Sequence, residues 1–395
     1  MGRLFPDRSL GLAPGSVRDF RELARRRLPR QLFDYVDGGA YEESTLAANV
    51  DDLAAIGLRQ RVLRDVSELH LSTTVLGQEL SMPVLLGPVG LAGMFARRAE
   101  VQAARAAQAA GVQFCESTVS ICSLEEVSRA VDRPIWFQLY VMRDRSYAED
   151  LMARAVAAAC PVLVLTVDLP VVGARYRETR NGTVGTQTTK GRVVQGLDFG
   201  LHPGWARDVG LNGRPHTFGN LEAAVPGMSS PEGFKTWIDA QFDPGVTWDD
   251  LAWVRRHWPG TLVLKGILDA DDARKAADHG VDGIVVSNHG GRQLDSTPST
   301  IRALPAVVEA VGDRLEVLVD GGIRSGLDVV KALALGARAC LVGRAWAWSV
   351  AAGGEQGVAT MLEIVRGELA VALSLTGVAD VRHLDRTALV GAVDG

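Results

Sequence analysis

The chain has 395 residues, 47% hydrophobic and 23% charged, with a formal net charge of −5. That is the composition of a globular protein long enough for one large domain or two ordinary ones. It argues against nucleic acid as a partner, because no long basic run appears, and no apolar run approaches the roughly 20 residues of a spanning helix.

The N-terminus, MGRLFPDRSLGLAPG, lacks the apolar core of a signal peptide. The expectation is a cytoplasmic protein, with contact to the inner face of the membrane left open because it needs no spanning segment. Residues 16–80 read as helical, then irregular. In that stretch, RELARRRLPR (21–30) suits one face of a short helix, and LPRQLFDYVDGGA (28–40) carries Tyr35. On pattern alone Tyr35 joins Leu32 and Phe33 on an apolar helix face.

Short apolar strands then recur: SMPVLLGPV (81–89), VQFCEST (112–118), PIWFQLYV (134–141) and PVLVLTVD (161–168). After a break come TLVLKGI (261–267), DGIVVSN (282–288), LEVLVDGG (315–322) and ARACLVGR (337–344). Nearly continuous Val/Leu/Ile runs suit parallel strands buried on both faces. Alanine-rich helical stretches lie between them, and DDARKAADHG (271–280) and LDVVKALALG (327–336) both stop at glycine. Eight such units predict an α/β fold, a (β/α)8 TIM barrel. A doubly wound sheet is the alternative, but it lacks its GxGxxG after the first strand. The expected organisation is an N-terminal extension (1–80) on a barrel (81–385), interrupted after the fourth strand at about 175–246. The inner part, NGTVGTQTTKGRVVQGLDFGLHPG (181–204), is rich in Gly and Thr and poor in periodic pattern, so 178–215 is expected to be mobile. The four cysteines are scattered and form no CxxC pair, which reads as reduced core thiols with no metal site.

Polar residues cluster where these strands end. They are Pro88, Val89 and Gly90; Ser117; Gln138 and Tyr140; Thr166 and Asp168; Lys265; Ser287, His289 and Arg292; Asp320, Gly321, Gly322 and Arg324; and Gly343 and Arg344. In a barrel of this kind they meet at one mouth. DGGIRSG (320–326) and VGR (342–344) pair glycines with arginines and suggest a phosphorylated ligand. The alternative is two glycine turns with solvated arginines. His289, flanked by glycines after a buried strand, can take a proton if a carboxylate orients it. Asp168 is the candidate carboxylate, and otherwise a turn residue before Pro170. Lys265, inside an apolar strand, needs an anion or an electron-rich ring.

SNHGGRQLD (287–295), DGGIRSG, VGR, FQLYV (137–141) and LPRQLFDYVDGGA together resemble the FMN-dependent α-hydroxy-acid dehydrogenase and oxidase family, over residues 18–385 or so. DGGAYEESTLAANVDDL, PVGLAGMFARR, VGARYRE (172–178) and HPGWARDVGLNGRPHTFGN are most similar to its quinone-reducing bacterial branch acting on L-lactate. The resemblance implies FMN as cofactor and a small 2-hydroxy acid as substrate. It also implies a quinone or other electron acceptor and a homotetramer. His289 looks like the base that removes the α-proton, or the hydroxyl proton if hydride moves instead, with Asp168 as its partner. Arg292 and Arg175 look like the clamp on the substrate carboxylate, with Tyr35 and Tyr140 as further donors. Lys265 faces the flavin N1/O2 edge, and Val89, Gly90, Ser117, Gln138 and Thr166, aided by Ser287, hold the ring. Asp320, Gly322, Arg324, Gly343 and Arg344 take the ribityl chain and phosphate, and the glycines of SNHGG leave room for substrate and flavin.

Three alternatives remain. One is an oxygen-reducing oxidase of the lactate, glycolate or mandelate type, against which Gly90 weighs by resemblance to dehydrogenase members. The second is a non-redox phosphate-binding barrel. The third is a non-catalytic binding protein on an old enzyme fold, against which the intact set of His289, Arg292, Arg175, Tyr35 and Tyr140 argues. Gly90 and Val119 suggest a pocket near the substrate's side chain, which Met94 and Phe95 could narrow.

Overall fold

The computed structural model describes residues 13–183, 188–222, 237 and 240–391. Eight parallel strands close into a barrel in chain order. They are β1 (Val84–Leu86), β2 (Gln113–Ser117), β3 (Trp136–Leu139), β4 (Val162–Thr166), β5 (Thr261–Ile267), β6 (Gly283–Val286), β7 (Glu316–Val319) and β8 (Ala339–Val342). These are the eight apolar runs of the sequence, trimmed at their ends. Every strand residue is buried except Thr261, Gly266 and Glu316.

Alternate side chains explain why the runs do not alternate in polarity. Leu85, Cys115, Trp136, Val162, Val164, Val263, Val285, Leu318, Ala339 and Leu341 fill the barrel interior. Their neighbours, such as Phe114, Phe137, Leu163, Leu165, Leu264 and Ile284, pack outward under the helices. Val75, Leu76 and Leu80, on an antiparallel hairpin (Thr73–Val75 with Gln78–Leu80), belong to the interior cluster. The helices follow the strands with local start and stop signals. Ser123, Asp144, Asp269 and Ser325 each accept a backbone N–H of the first turn, worth about 0.5–2 kcal/mol apiece. Gly280 and Gly336 follow the ends of helices Ala270–Asp278 and Gly326–Ala334 at φ +70° and +102°, values costly for other residues.

Among the described residues, three helices precede the barrel: Val17–Arg27, Arg30–Asp37 and Ser44–Ala55. Asp37, buried, accepts from Arg21 Nε and Nη2 and from Arg177 Nη1, tying the second of them to the start of the β4–β5 insertion. The insertion holds a helix that the sequence pattern does not mark. Thr189–Gly200 is a helix, started by the Thr188 hydroxyl accepting Gly191 N–H. Three glycines mask its propensity, and its apolar residues other than Phe199, which meets Trp205, are exposed, so no buried stripe marks it. Trp205 anchors the next turn by donating from Nε1 to the Met94 carbonyl. The four cysteines are buried and unpaired.

Candidate active site

The strand ends open into one cleft enclosing about 1290 Å³, part of it open to solvent. Its walls include Pro88, Val89 and Gly90 after β1, Val119 after β2, Tyr140 after β3, Thr166 of β4 and Lys265 of β5. His289 and Arg292 follow β6, Asp320–Arg324 follow β7, and Gly343 and Arg344 follow β8. Tyr35 and Val36 come from the helix Arg30–Asp37, while Arg175 and Phe218 come from the insertion. Four expected residues stand behind these walls. Asp168 backs His289, Ser287 backs Lys265, and the Ser117 hydroxyl donates to Gln138 Oε1 at 3.0 Å.

The chain turns sharply after β6. His289, Gly290 and Gly291 are all left-handed, at φ 57°, 63° and 72°. For histidine this is uncommon, and such strain gathers at functional sites. The turn aims His289 Nδ1 at Asp168 Oδ1, 2.9 Å away. A carboxylate only accepts, so Nδ1 carries the proton and Nε2 keeps its lone pair. Burial pushes the imidazole below its ordinary value, and Lys265 and Arg292 push the same way while Asp168 opposes. Burial would raise the Asp168 carboxyl, but His289 and Lys265 outweigh it and hold Asp168 below its usual range. The resting pair is therefore a neutral histidine beside an ionised aspartate.

The two glycines admit close neighbours. A Cβ on Gly290 would lie 2.7 Å from Arg344 Nη1, and one on Gly291 would lie 2.6 Å from the Leu46 backbone nitrogen. They make room for an arginine and for the helix Ser44–Ala55, and Gly290 also lines the cleft.

Four guanidinium groups gather at the cleft. Arg292 Nη1 donates to the Tyr35 and Gly38 carbonyls at 2.6 and 2.9 Å, and its guanidinium lies 4.9 Å from the Tyr35 ring centroid. Arg175, 5.9 Å from the same centroid, is braced by Glu178 at 3.1 Å. Arg344 donates to the carbonyls of Val36, Gly38 and Gly290. It thus joins the end of the helix Arg30–Asp37 to the β6 loop. Arg324 stacks on Trp348 at 4.9 Å. Burial, then Arg292 and Arg324, push Arg344 well below its ordinary value; burial brings Arg324 to about 10. Burial and the neighbouring Asp168 push the Tyr140 phenol upward, so it is a donor at neutral pH.

These residues fit a phosphorylated flavin. Crowded cations call for an anion, and Gly343 caps the helix that begins at Arg344, whose first N–H groups suit phosphate. Gly321 and Gly322 sit at φ 91° and 84°, and a Cβ on Gly322 would meet the Asn49 carbonyl at 2.0 Å. Among the described residues, Gln138 Nε2 and Asp320 Oδ1 are buried without a hydrogen-bond partner, a donor for a heterocycle and an acceptor for a hydroxyl. Lys265 Nζ is held by Asp320 Oδ2 and Ser287 Oγ, both at 2.8 Å, and stays charged. Burial opposes the charge, but Asp320 and Asp168 prevail.

Several residues were not foreseen. Gly266, at a bulge in β5 with φ 113°, lies against Asp168. Its signal was a glycine inside a strand. Asn49 and Asn288 exchange reciprocal amide bonds at 2.9 and 2.8 Å, locking the helix Ser44–Ala55 to the β6 loop. Leu169, Val172, Phe218 and Phe242 supply apolar cleft wall. Met94 and Phe95, which could have narrowed the pocket, are buried outside the cleft lining.

Residues 24–391 match the FMN-dependent dehydrogenase family. The chain is 58% identical over 374 residues to an L-lactate dehydrogenase of Caulobacter sp. (strain K31), covering 95% of this chain and 98% of that one. It is 52% identical to an L-lactate dehydrogenase of Pseudomonas aeruginosa (strain LESB58), covering 94% and 97%. Among solved structures it is similar to the monotopic membrane protein (S)-mandelate dehydrogenase, with TM-score 0.90, 37% identity, and coverage of 96% and 100%.

Proposed function

The chain belongs to the FMN-dependent dehydrogenase family, and on that premise we propose that it oxidises L-lactate to pyruvate and passes the electrons to a quinone. FMN-dependent oxidation of an L-2-hydroxy acid is its chemistry, as in the L-lactate dehydrogenases it resembles. The observation that carries the reading is the Asp168–His289 pair beside two arginines, Arg175 and Arg292, in a cleft that fits FMN.

The substrate carboxylate lies between Arg292 and Arg175, whose planar forks suit it. Tyr35 and Tyr140 add hydroxyl donors around it. His289 Nε2, the nitrogen turned from Asp168, takes the substrate's proton. Asp168 stabilises the imidazolium that results and keeps the ring from rotating. Lys265 sets a positive charge at the floor of the cleft, where charge gathers on reduction. Pro88, Val89, Gly90, Thr166 and Gln138 hold the flavin ring, and Asp320, Gly321, Gly322, Arg324, Gly343 and Arg344 hold its ribityl phosphate. FMN, when bound, takes up the two electrons leaving the substrate.

Peripheral membrane contact is part of the proposal. In and just after the helix Thr189–Gly200, Val193, Val194, Leu197 and Leu201 are each more than half exposed. Their spacing puts them on one face, as in helices that lie in a lipid interface. No described helix is long and apolar enough to cross a membrane. The quinone and a homotetrameric assembly are supported by family resemblance. Anaerobic reduction of the purified flavoprotein by a panel of 2-hydroxy acids, then reoxidation by a quinone analogue or by oxygen, tests substrate and acceptor separately.

A further inference from the structure

Phe242 stands between two cavities. It lines the catalytic cleft, and it also lines a second cavity of about 1250 Å³, again partly open to solvent, on the outer side of β4 and β5. Tyr140, Thr166 and Leu169 are the other residues common to both. The far side of the second cavity is apolar, with Leu165, Val246, Leu251, Val254 and Leu264 among its walls. Its polar rim is acidic: Asp243, Asp250 and Asp272. The first two pair with Arg145 at 3.0 and 3.3 Å.

The partition is built, not incidental. Phe242 is 7% exposed and meets the Tyr140 ring edge-on, with centroids 5.2 Å apart and planes at 79°. Its backbone forms an antiparallel bridge with Met142, and Arg143 N–H donates to the Gln241 carbonyl at 2.8 Å. The end of the insertion is thereby fastened to the continuation of β3. Aromatic pairs of this geometry attract beyond the area they bury, which holds the ring across the gap.

We propose that Phe242 sets the upper size limit on the substrate's α-substituent by closing the catalytic cleft off from the second cavity. The inference rests on the reading of the enzyme as a 2-hydroxy-acid dehydrogenase and extends it. With Phe242 in place, a methyl group meets Val119, Phe218 and Phe242. Without it, an uncharged aliphatic chain runs past Tyr140 into the space lined by Val246 and Leu251. The apolar walls make that space unsuitable for a second carboxylate, so the substrates gained are long-chain monocarboxylates.

The test compares kcat/KM for L-2-hydroxyoctanoate with that for L-lactate in the intact holoenzyme. Phe242→Ala is expected to raise the ratio about tenfold or more, the scale on which apolar pockets discriminate added methylenes. Phe242→Leu, which keeps an apolar side chain and the bridge to Met142, is expected to raise it less and guards against a misfolded alanine variant. Val246→Phe fills the second cavity, so in the Phe242→Ala background it is expected to return the ratio toward wild type. A wild type that oxidises L-lactate, with both Phe242 variants within twofold of its ratio, overturns the proposal alone. So does a gain that survives Val246→Phe. A wild type that oxidises neither acid overturns the functional reading and the proposal with it.

Discussion

Gly266 leaves empty the space that Asp168 occupies: a Cβ there would lie 2.5 Å from Asp168 Cβ and 2.9 Å from its Oδ2. The glycine is at φ 113°, where β5 gains an extra residue relative to β6. Bulges beside active sites re-aim side chains, and this one lets Asp168 reach His289. Gly266→Ala is expected to cost about 1–3 kcal/mol through backbone strain, read as a lowered Tm. It is also expected to slow flavin reduction by displacing Asp168. In an Asp168→Ala background the same change should add little further slowing. Full additivity of the two rate losses would show that Gly266 does not act through Asp168.

Proton transfer sets a pH dependence whose sign follows from the site. The base works when neutral, so activity is present above the His289 pKa and lost as pH falls through it. Burial holds that pKa below the ordinary histidine value. Asp168 raises it against that trend. Asp168→Asn is therefore expected to slow reduction and to move the acid limb of kcat/KM to lower pH. A limb moving upward would contradict the assignment. His289→Ala is expected to keep bound flavin and to lose about 10²–10⁴-fold in its rate of reduction.

Arg324 and Arg344 separate two kinds of loss. Arg324→Ala removes a cation stacked on Trp348 and is expected to lower flavin occupancy while leaving the N-terminal helices in place. Arg344→Ala also frees the carbonyls of Val36, Gly38 and Gly290. It is expected to lower occupancy and to expose residues 30–40 to hydrogen exchange. Wild-type occupancy in both variants would remove these residues from the phosphate site.

Membrane contact through the helix Thr189–Gly200 has a simple test. Val194→Glu with Leu197→Glu puts charge on the exposed apolar face and is expected to abolish co-sedimentation with lipid vesicles. Reduction by L-lactate in solution should persist. Undiminished co-sedimentation would place the contact elsewhere or nowhere.

The barrel was legible because its strands are buried on both faces, which writes continuous apolar runs into the chain. The mouth was legible because polar residues such as Thr166, Lys265 and Asp320 break those runs at or near their ends. Asp168 and His289, 121 positions apart, could be paired because both follow strands. Tyr35 and Arg175 carry no such local mark and were assigned through family resemblance. Gly266, the Asn49–Asn288 pair and Phe242 matter only through what lies against them in space, which composition and periodicity do not record. The helix Thr189–Gly200 was hidden for a related reason: its apolar residues other than Phe199 are exposed and glycines interrupt it.

In the proposed function, an L-2-hydroxy acid delivers its proton to His289 and its electrons to FMN. The carboxylate clamp, His289 Nε2 and the flavin face fix three directions around the α-carbon, so one enantiomer alone presents its hydrogen productively. The direct measurement is anaerobic mixing of the purified flavoprotein with L-lactate and, separately, D-lactate, followed by flavin absorbance. L-lactate is expected to bleach the flavin and D-lactate to leave it oxidised. Equal bleaching by both, or by neither, would contradict it.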